Sequence, residues 1–371
     1  MSPRAAYLDW NATAPLRPEA AAAMTEALAR CGNPSSVHRF GREARRALEA
    51  ARAQLAALVG AAPAEIVFTS GGTEANHLAL RGLAGRRVMV SAIEHDSVRH
   101  AVPDAAVVPV TPRGIVDLAA LDRMLAAEAR PALVSLMLAN NETGIIQPVA
   151  EAARIAHARG ALLHCDAVQA AGKLPLDRAA LGADLMTLSA HKLGGPPGIG
   201  ALVVGEGLPL TALLTGGGQE RGRRAGTENL PGIAGFGAAC AVASDRLDDY
   251  RAVAALRDAT ERRLVAIAPD AVIYGDEVAR LPNTLCIAMP GVASATQVMA
   301  LDLAGVMVSA GAACSSGKVK RSHVLDAMGV SPAEADCAIR ISLGWNTTAA
   351  DVDQVMEAWG ALYARTRASA A

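Results

Sequence analysis

Seven short apolar runs, at residues 66–69, 88–91, 106–110, 133–138, 161–164, 185–188 and 201–204, constrain this chain more than any other feature. Each suits a buried strand and is too short for a helix. Helical patterns lie between several of them, as after Gly72 and around residues 151–159. Strands that alternate with helices build a sheet that is mostly parallel and covered by helices. The expected fold class is α/β: a large domain on a mostly parallel seven-stranded sheet. From about Asp270, shorter strands at 284–288 and 339–343 alternate with helices and predict a smaller α/β domain.

The flanking segments complete that frame. Residues 7–15 read as a strand fragment and a turn, 18–30 as a helix, and 32–38 as a loop. Residues 42–59 form an amphipathic helix, with Ala44, Leu48, Leu55 and Leu58 on one side and Gly60 as its stop. Residues 216–226 are rich in glycine and arginine and read as a mobile loop. Residues 230–263 are mostly helical and lead out of the first domain. The expected division is 13–250 for the large domain, and 1–12 with 251–371 for the small one.

Composition narrows the function classes. With 35 Lys and Arg against 36 Asp and Glu, the net charge is -1, which favours neither nucleic acid nor an anionic membrane. Much of the 52% hydrophobic content is alanine, and no apolar run reaches the length of a membrane span. The first residues carry Arg4 and Asp9 but no apolar signal core. None of the six cysteines forms a Cys-x-x-Cys pair. A reducing cytoplasmic location is expected, with no metal and most cysteines packed as small hydrophobes.

Ends of strands in open α/β sheets are where ligands bind, and five of the candidate ends carry polar groups. Residues 185–198 run from an apolar stretch into Ser189, His191 and Lys192 and then a Gly/Pro stop. Lysine is scarce, present only as Lys173, Lys192, Lys318 and Lys320 in a chain that otherwise uses arginine. A desolvated lysine can lose its proton and form a Schiff base, which arginine cannot; the plainer reading is a loop lysine in solvent. Gly71, Gly72 and Thr73 stand where a strand turns into a helix, as a phosphate cradle or as an ordinary capped turn. Ser189 and His191 are further phosphate donors. Asp166 can face a pyridine nitrogen and keep it protonated, or cap a helix. His95 can stack on a flat cofactor, or be a buried hydrogen-bonded ring. Asn140 and Asn141 can bind a phenolic oxygen or a carboxylate, or make a turn. Together these groups are the inventory for pyridoxal phosphate.

Two elements go beyond cofactor binding. Cys314 sits among small residues between Gly311 and Gly317, with Lys318, Lys320 and Arg321 after it. A flexible, basic setting suits a reactive thiolate. Arg340 interrupts an apolar strand and needs a carboxylate, supplied by a substrate or by a structural ion pair.

From Tyr7 to about Thr348 the chain resembles the cysteine desulfurases, NifS/IscS-like members of the class V aminotransferase family. The resemblance rests on Tyr-Leu-Asp near the start, Gly-Asn-Pro-Ser-Ser, Thr-Ser-Gly-Gly-Thr-Glu-Ala-Asn, Asn-Asn-Glu-Thr-Gly, His-Cys-Asp-Ala-Val-Gln, Ser-Ala-His-Lys and Ala-Cys-Ser-Ser-Gly, in that order. It implies fold type I of the pyridoxal-phosphate enzymes, in a homodimer with sites near the subunit interface. It also implies that Lys192 joins the cofactor, Asp166 pairs with the ring nitrogen, Gln169 meets the ring hydroxyl and His95 stacks. Gly72, Thr73, Ser189 and His191 would hold the phosphate, with Thr227 of the partner subunit. Asn141 and Arg340 would hold the substrate carboxylate. Lys192 or His95 would move the proton from Cα, and Cys314 would receive sulfur from L-cysteine. The persulfide would pass to an iron–sulfur scaffold or another acceptor protein. The chain ends soon after its last helix, without the tail that helps some members dock a scaffold.

Other readings make different demands. A selenocysteine lyase shares the inventory, whereas an aminotransferase leaves Cys314 unexplained. A non-catalytic binding module on the same fold predicts loss of Lys192 or Cys314, and both are present.

Overall fold

The computed structural model describes residues 5–311 and 321–368. Strand β1 (Ala6–Tyr7) opens it. Strands β2 (Ile66–Thr69), β3 (Arg87–Ser91), β4 (Ala106–Val108), β5 (Ala132–Met137), β6 (Leu162–Asp166), β7 (Leu185–Ser189) and β8 (Gly200–Val204) form one sheet, in the order β2-β8-β7-β6-β5-β3-β4. Every expected run is a strand of this sheet. The pairs β3–β4, β3–β5, β5–β6 and β6–β7 are parallel, and β8 runs against both of its neighbours. Strands β5, β7 and β8 are buried along their whole length. That is why they read as continuous apolar runs: a parallel sheet has helices on both faces and no solvent side.

This direction of the strands positions the site. The chain leaves β2, β3, β5, β6 and β7 at the same edge of the sheet. The polar groups that follow those runs in sequence therefore collect there.

Close helix packing explains the alanine bias. Helix Arg39–Leu58 starts earlier than expected because the His38 ring caps it, Nδ1 accepting from the Gly41 N–H at 3.3 Å. It packs against helix Leu230–Asp245, where a Cβ on Gly237 would lie 2.6 Å from the Ala51 Cα. Only small residues allow that approach. The mostly helical stretch expected over 230–263 is two helices, Leu230–Asp245 and Asp249–Ile267.

The expectation of a mobile loop at 216–226 needs correction. Glu220 is buried, and its carboxylate takes two bonds from Arg52, both 2.8 Å, and one from the Phe68 N–H at 2.9 Å. Glu220 and Arg221 adopt positive φ (46° and 57°). Such conformations cost about 1–3 kcal/mol each and persist only where the surroundings fix them; the buried ion pair does so here.

The second sheet is antiparallel: β9 (Val272–Tyr274), β10 (Thr284–Ala288), β12 (Ser309–Ala310) and β13 (Ala338–Ser342), in the order β12-β13-β10-β9. Strand β11 (Val306–Met307) pairs with β1. Ala6 and Leu8 join a core with Ile341, Leu343, Val355 and Trp359. Asp9 bridges to Ser342, so the segment after β1 passes beside β13. Cys165, Cys240, Cys286 and Cys337 are buried and Cys31 is exposed. Cys314, Lys318 and Lys320 lie outside the described residues. Among the described residues, no helix is long and apolar enough to cross a membrane.

Candidate active site

A cavity of about 390 Å³ opens at the carboxyl edge of the central sheet, a size typical of small-molecule sites. Asp166, Gln169, Lys192 and His95 line it, with Asn141 and Arg340. Gly72, Thr73, Ser189 and His191 line it too, and share a smaller adjoining hollow. Thr227 does not line the cavity; it borders a separate pocket with Ser70, Gly198 and Arg224.

Asp166 ends β6 and is held from both sides. Its Oδ2 accepts from Asn76 Nδ2 at 2.8 Å, and its Oδ1 from the Val168 N–H at 3.0 Å. The second bond is the local turn that a capping reading expects, and the same carboxylate also faces the cavity. Asn76 donates onward to Ser97 Oγ at 2.9 Å, which lies 2.8 Å from His95 Nδ1. One hydrogen-bonded chain therefore orients both the carboxylate and the ring. Behind them Glu94 is fully buried and accepts from the Met137 N–H at 2.7 Å. Burial, then the Asp166 charge, push its carboxyl well above the usual carboxylate range.

Lys192 follows β7 in a single 3-10 turn. It is half-buried, and its Nζ donates to the carbonyls of Asn11 (2.6 Å) and Ala12 (2.8 Å). The reading of a solvent lysine is thereby set aside. Burial and the Lys192 charge hold the His191 imidazole down to about 4. At neutral pH it meets a ligand as an uncharged ring.

Arg340 comes from the other sheet. It donates to Asp9 Oδ1 at 2.6 Å and to the Asn141 carbonyl at 2.9 Å, while its buried Nε has no partner among the described residues. The structural ion pair is present, together with an idle donor on the same guanidinium.

The donor set fits pyridoxal phosphate. Helix Gly72–Arg81 points its N-terminus at the cavity, where the first N–H groups lack intrahelical acceptors. A Cβ on Gly72 would lie 3.3 Å from Val168 Cγ2 and 3.4 Å from Ser189 Cβ, so a side chain would crowd this cradle. The helix cap is Gly71 and not Thr73, which leaves the Thr73 hydroxyl for a ligand. A carboxylate (Asp166) and a lysine (Lys192) line the same cavity as the cradle. Those are the groups for a phosphate, a protonated ring nitrogen and an aldehyde carbon.

Sequence reasoning missed four supporting residues. Asn11 accepts from Lys192 and Gln169 through its carbonyl. Lys173 is buried beneath it. Asn76 and Asp9 orient Asp166 and Arg340. Asn76 had a signal, a polar residue among Ala75, Leu78 and Ala79 on a buried helix face.

Comparison with known proteins places the chain in a family. The Aminotransferase class-V family model matches residues 6–355. A cysteine desulfurase of Cereibacter sphaeroides is 46% identical over 366 residues, covering 95% of this chain and 94% of that protein. A NifS-like protein from Rickettsia africae superposes with a TM-score of 0.91 at 37% identity, covering 97% of this chain and 99% of that one. SspA, solved in complex with cysteine, matches with a TM-score of 0.78 at 29% identity, covering 91% of this chain and 98% of its own. With its fold and nearly its whole length accounted for in this way, the chain belongs to the class V aminotransferase family.

Proposed function

We propose that the chain is a cysteine desulfurase that holds pyridoxal 5'-phosphate in this cavity, converts L-cysteine to L-alanine and takes the sulfur as a persulfide on Cys314. The observation that carries this reading is the meeting of Lys192, Asp166, the Gly72 cradle and Arg340, from two different sheets, around one cavity. When bound, the cofactor supplies an electron sink for the negative charge developing at the substrate Cα. Asp166, fixed by Asn76 and the Val168 N–H, holds a proton at the ring nitrogen. Lys192 would hold the cofactor covalently and, with His95 as the other candidate, would move the proton at Cα. Gln169 would donate to the ring oxygen, and His95 would cover the ring, both lining the cavity. Thr73, Ser189 and His191 complete the phosphate site around Gly72. Arg340, with Asn141, holds the substrate carboxylate, its guanidinium being the cation that lines the cavity from the second sheet. The Cys314 thiolate attacks the substrate sulfur; the C–S bond breaks, an S–S bond forms, and a proton completes alanine.

The experiment is to supply L-cysteine, measure alanine, and trap persulfides by alkylation for mass spectrometry. One alanine per sulfur, with persulfide on Cys314, is the expected result. Persulfide on another cysteine, with Cys314→Ala still making alanine at the wild-type rate, contradicts the assignment.

The finer organisation follows the same reading. The large domain is 13–250, and the small one 1–12 with 251–371. Two copies form a homodimer in the cytoplasm, where Thr227 reaches the phosphate site of the partner subunit, and the sulfur goes to an iron–sulfur scaffold or another acceptor protein. Its placement outside its own chain's cavity supports this role for Thr227. A monomeric mass in solution with full cofactor uptake would count against it.

A further inference from the structure

Lys173 lies four residues after Gln169 and is 3% exposed. Its Nζ donates to Gln169 Oε1 at 2.9 Å and to Asn11 Oδ1 at 3.0 Å. We propose that Lys173 is a positioning residue for the cofactor site, gripping Gln169 and Asn11 by their side-chain oxygens so that Gln169 keeps an N–H for the cavity and the Asn11 carbonyl stays in place for Lys192. The proposal rests on the reading of this cavity as a pyridoxal-phosphate site.

The bonding pattern permits one arrangement. The Asn11 carbonyl can only accept, so the end of the Gln169 amide against it, at 3.0 Å, is the nitrogen. The amide oxygen then faces Lys173. With one hydrogen on Asn11, the amide nitrogen has a second for a ring oxygen in the cavity that Gln169 lines. Asn11 is clamped in the same way. Its Oδ1 takes bonds from Lys173 and Asn283, and its carbonyl receives Lys192 and Gln169.

A buried ammonium calls for a carboxylate, and both hydrogen-bond partners of Lys173 are amides. Burial, then the charges of Lys192 and Arg340, push its amine well below the ordinary lysine range. A neutral amine has two N–H groups, and they match its two acceptors. Two N–H groups suffice for both acceptors, so the grip on Gln169 and Asn11 does not depend on the charge of Lys173.

The test is a double-mutant cycle read by equilibrium binding of pyridoxal phosphate to cofactor-free protein, without substrate. Lys173→Met and Gln169→Ala are each expected to weaken uptake about tenfold, the worth of one buried hydrogen bond. If Lys173 acts through Gln169, the double variant falls well short of the product of the two losses, and the visible absorbance of bound cofactor shifts in Lys173→Met. Should Lys173→Met not fold, Lys173→Gln, which keeps an N–H, replaces it and is expected to lose less. Multiplying losses, or a lower melting temperature with unchanged affinity and spectrum, overturn the proposal and leave the cofactor reading standing. A wild-type chain that takes up no pyridoxal phosphate overturns both.

Discussion

The sheet floor and the outer wall of the cavity differ in what their polar groups are bonded to. On the floor, Asp166, Asn76, Ser97 and His95 form one chain, and Lys173, Gln169, Asn11 and Lys192 another. On the wall, Arg340 is tied to Asp9 and to a backbone carbonyl, and its Nε has no partner among the described residues. A cofactor that stays needs groups already fixed in direction, since preorganised donors need no rearrangement when charge develops. A substrate that enters and leaves needs a partner able to take it on beside, or in place of, an internal one. Under the proposed function, the floor serves the first task and the wall the second.

Variants on the two sides should therefore fail differently. The largest effect is expected for Lys192→Ala, which removes the amine on the floor: alanine formation from cysteine should fall by at least ~10⁴-fold. Activity within tenfold of wild type would break the comparison at its base. Asp166→Asn comes next, with kcat down by ~10²- to 10⁴-fold and cofactor still bound through the cradle. Unchanged exchange of the Cα proton in that variant would remove Asp166 from the chemistry. Arg340→Lys keeps the charge for Asp9 but loses the fork, so KM for cysteine should rise about 10- to 100-fold while cofactor content stays the same. If this wall variant instead loses cofactor with KM unchanged, the division of labour is wrong.

The smallest effect concerns stability. The folded state keeps Glu94 protonated well above the usual carboxylate range, whereas the unfolded chain releases that proton within it. Across that window the folded state binds more protons, so stability falls as pH rises. Glu94→Gln keeps an acceptor for the Met137 N–H and does not titrate. Its melting temperature should match wild type near the ordinary carboxylate range and exceed it increasingly at higher pH. A constant difference at all pH values would contradict the sign.

The parts of this architecture that were legible from sequence are those that depend on local pattern. Strands β2 to β8 announced themselves because burial on both faces leaves continuous apolar runs. Lys192, Asp166, Gly72 and His95 were legible because they stand just past, or at the end of, such runs. What was not legible depends on partners far along the chain. Glu220 looked like part of a mobile loop because Arg52 is 168 positions away. Arg340 had two possible carboxylates until Asp9, 331 positions away, supplied one. Lys173 stood out only as a scarce lysine; its grip on Asn11, 162 positions back, exists only after folding.

Because two lysines meet at Asn11, the floor is tested most directly by asking which of them carries the cofactor. The holo-protein is treated with borohydride to fix pyridoxal phosphate to its lysine, digested, and mapped by mass spectrometry. The modification is expected on the peptide containing Lys192, with Lys173 unmodified. Finding it on Lys173, or finding no lysine modified in protein that retains the cofactor, would contradict the account.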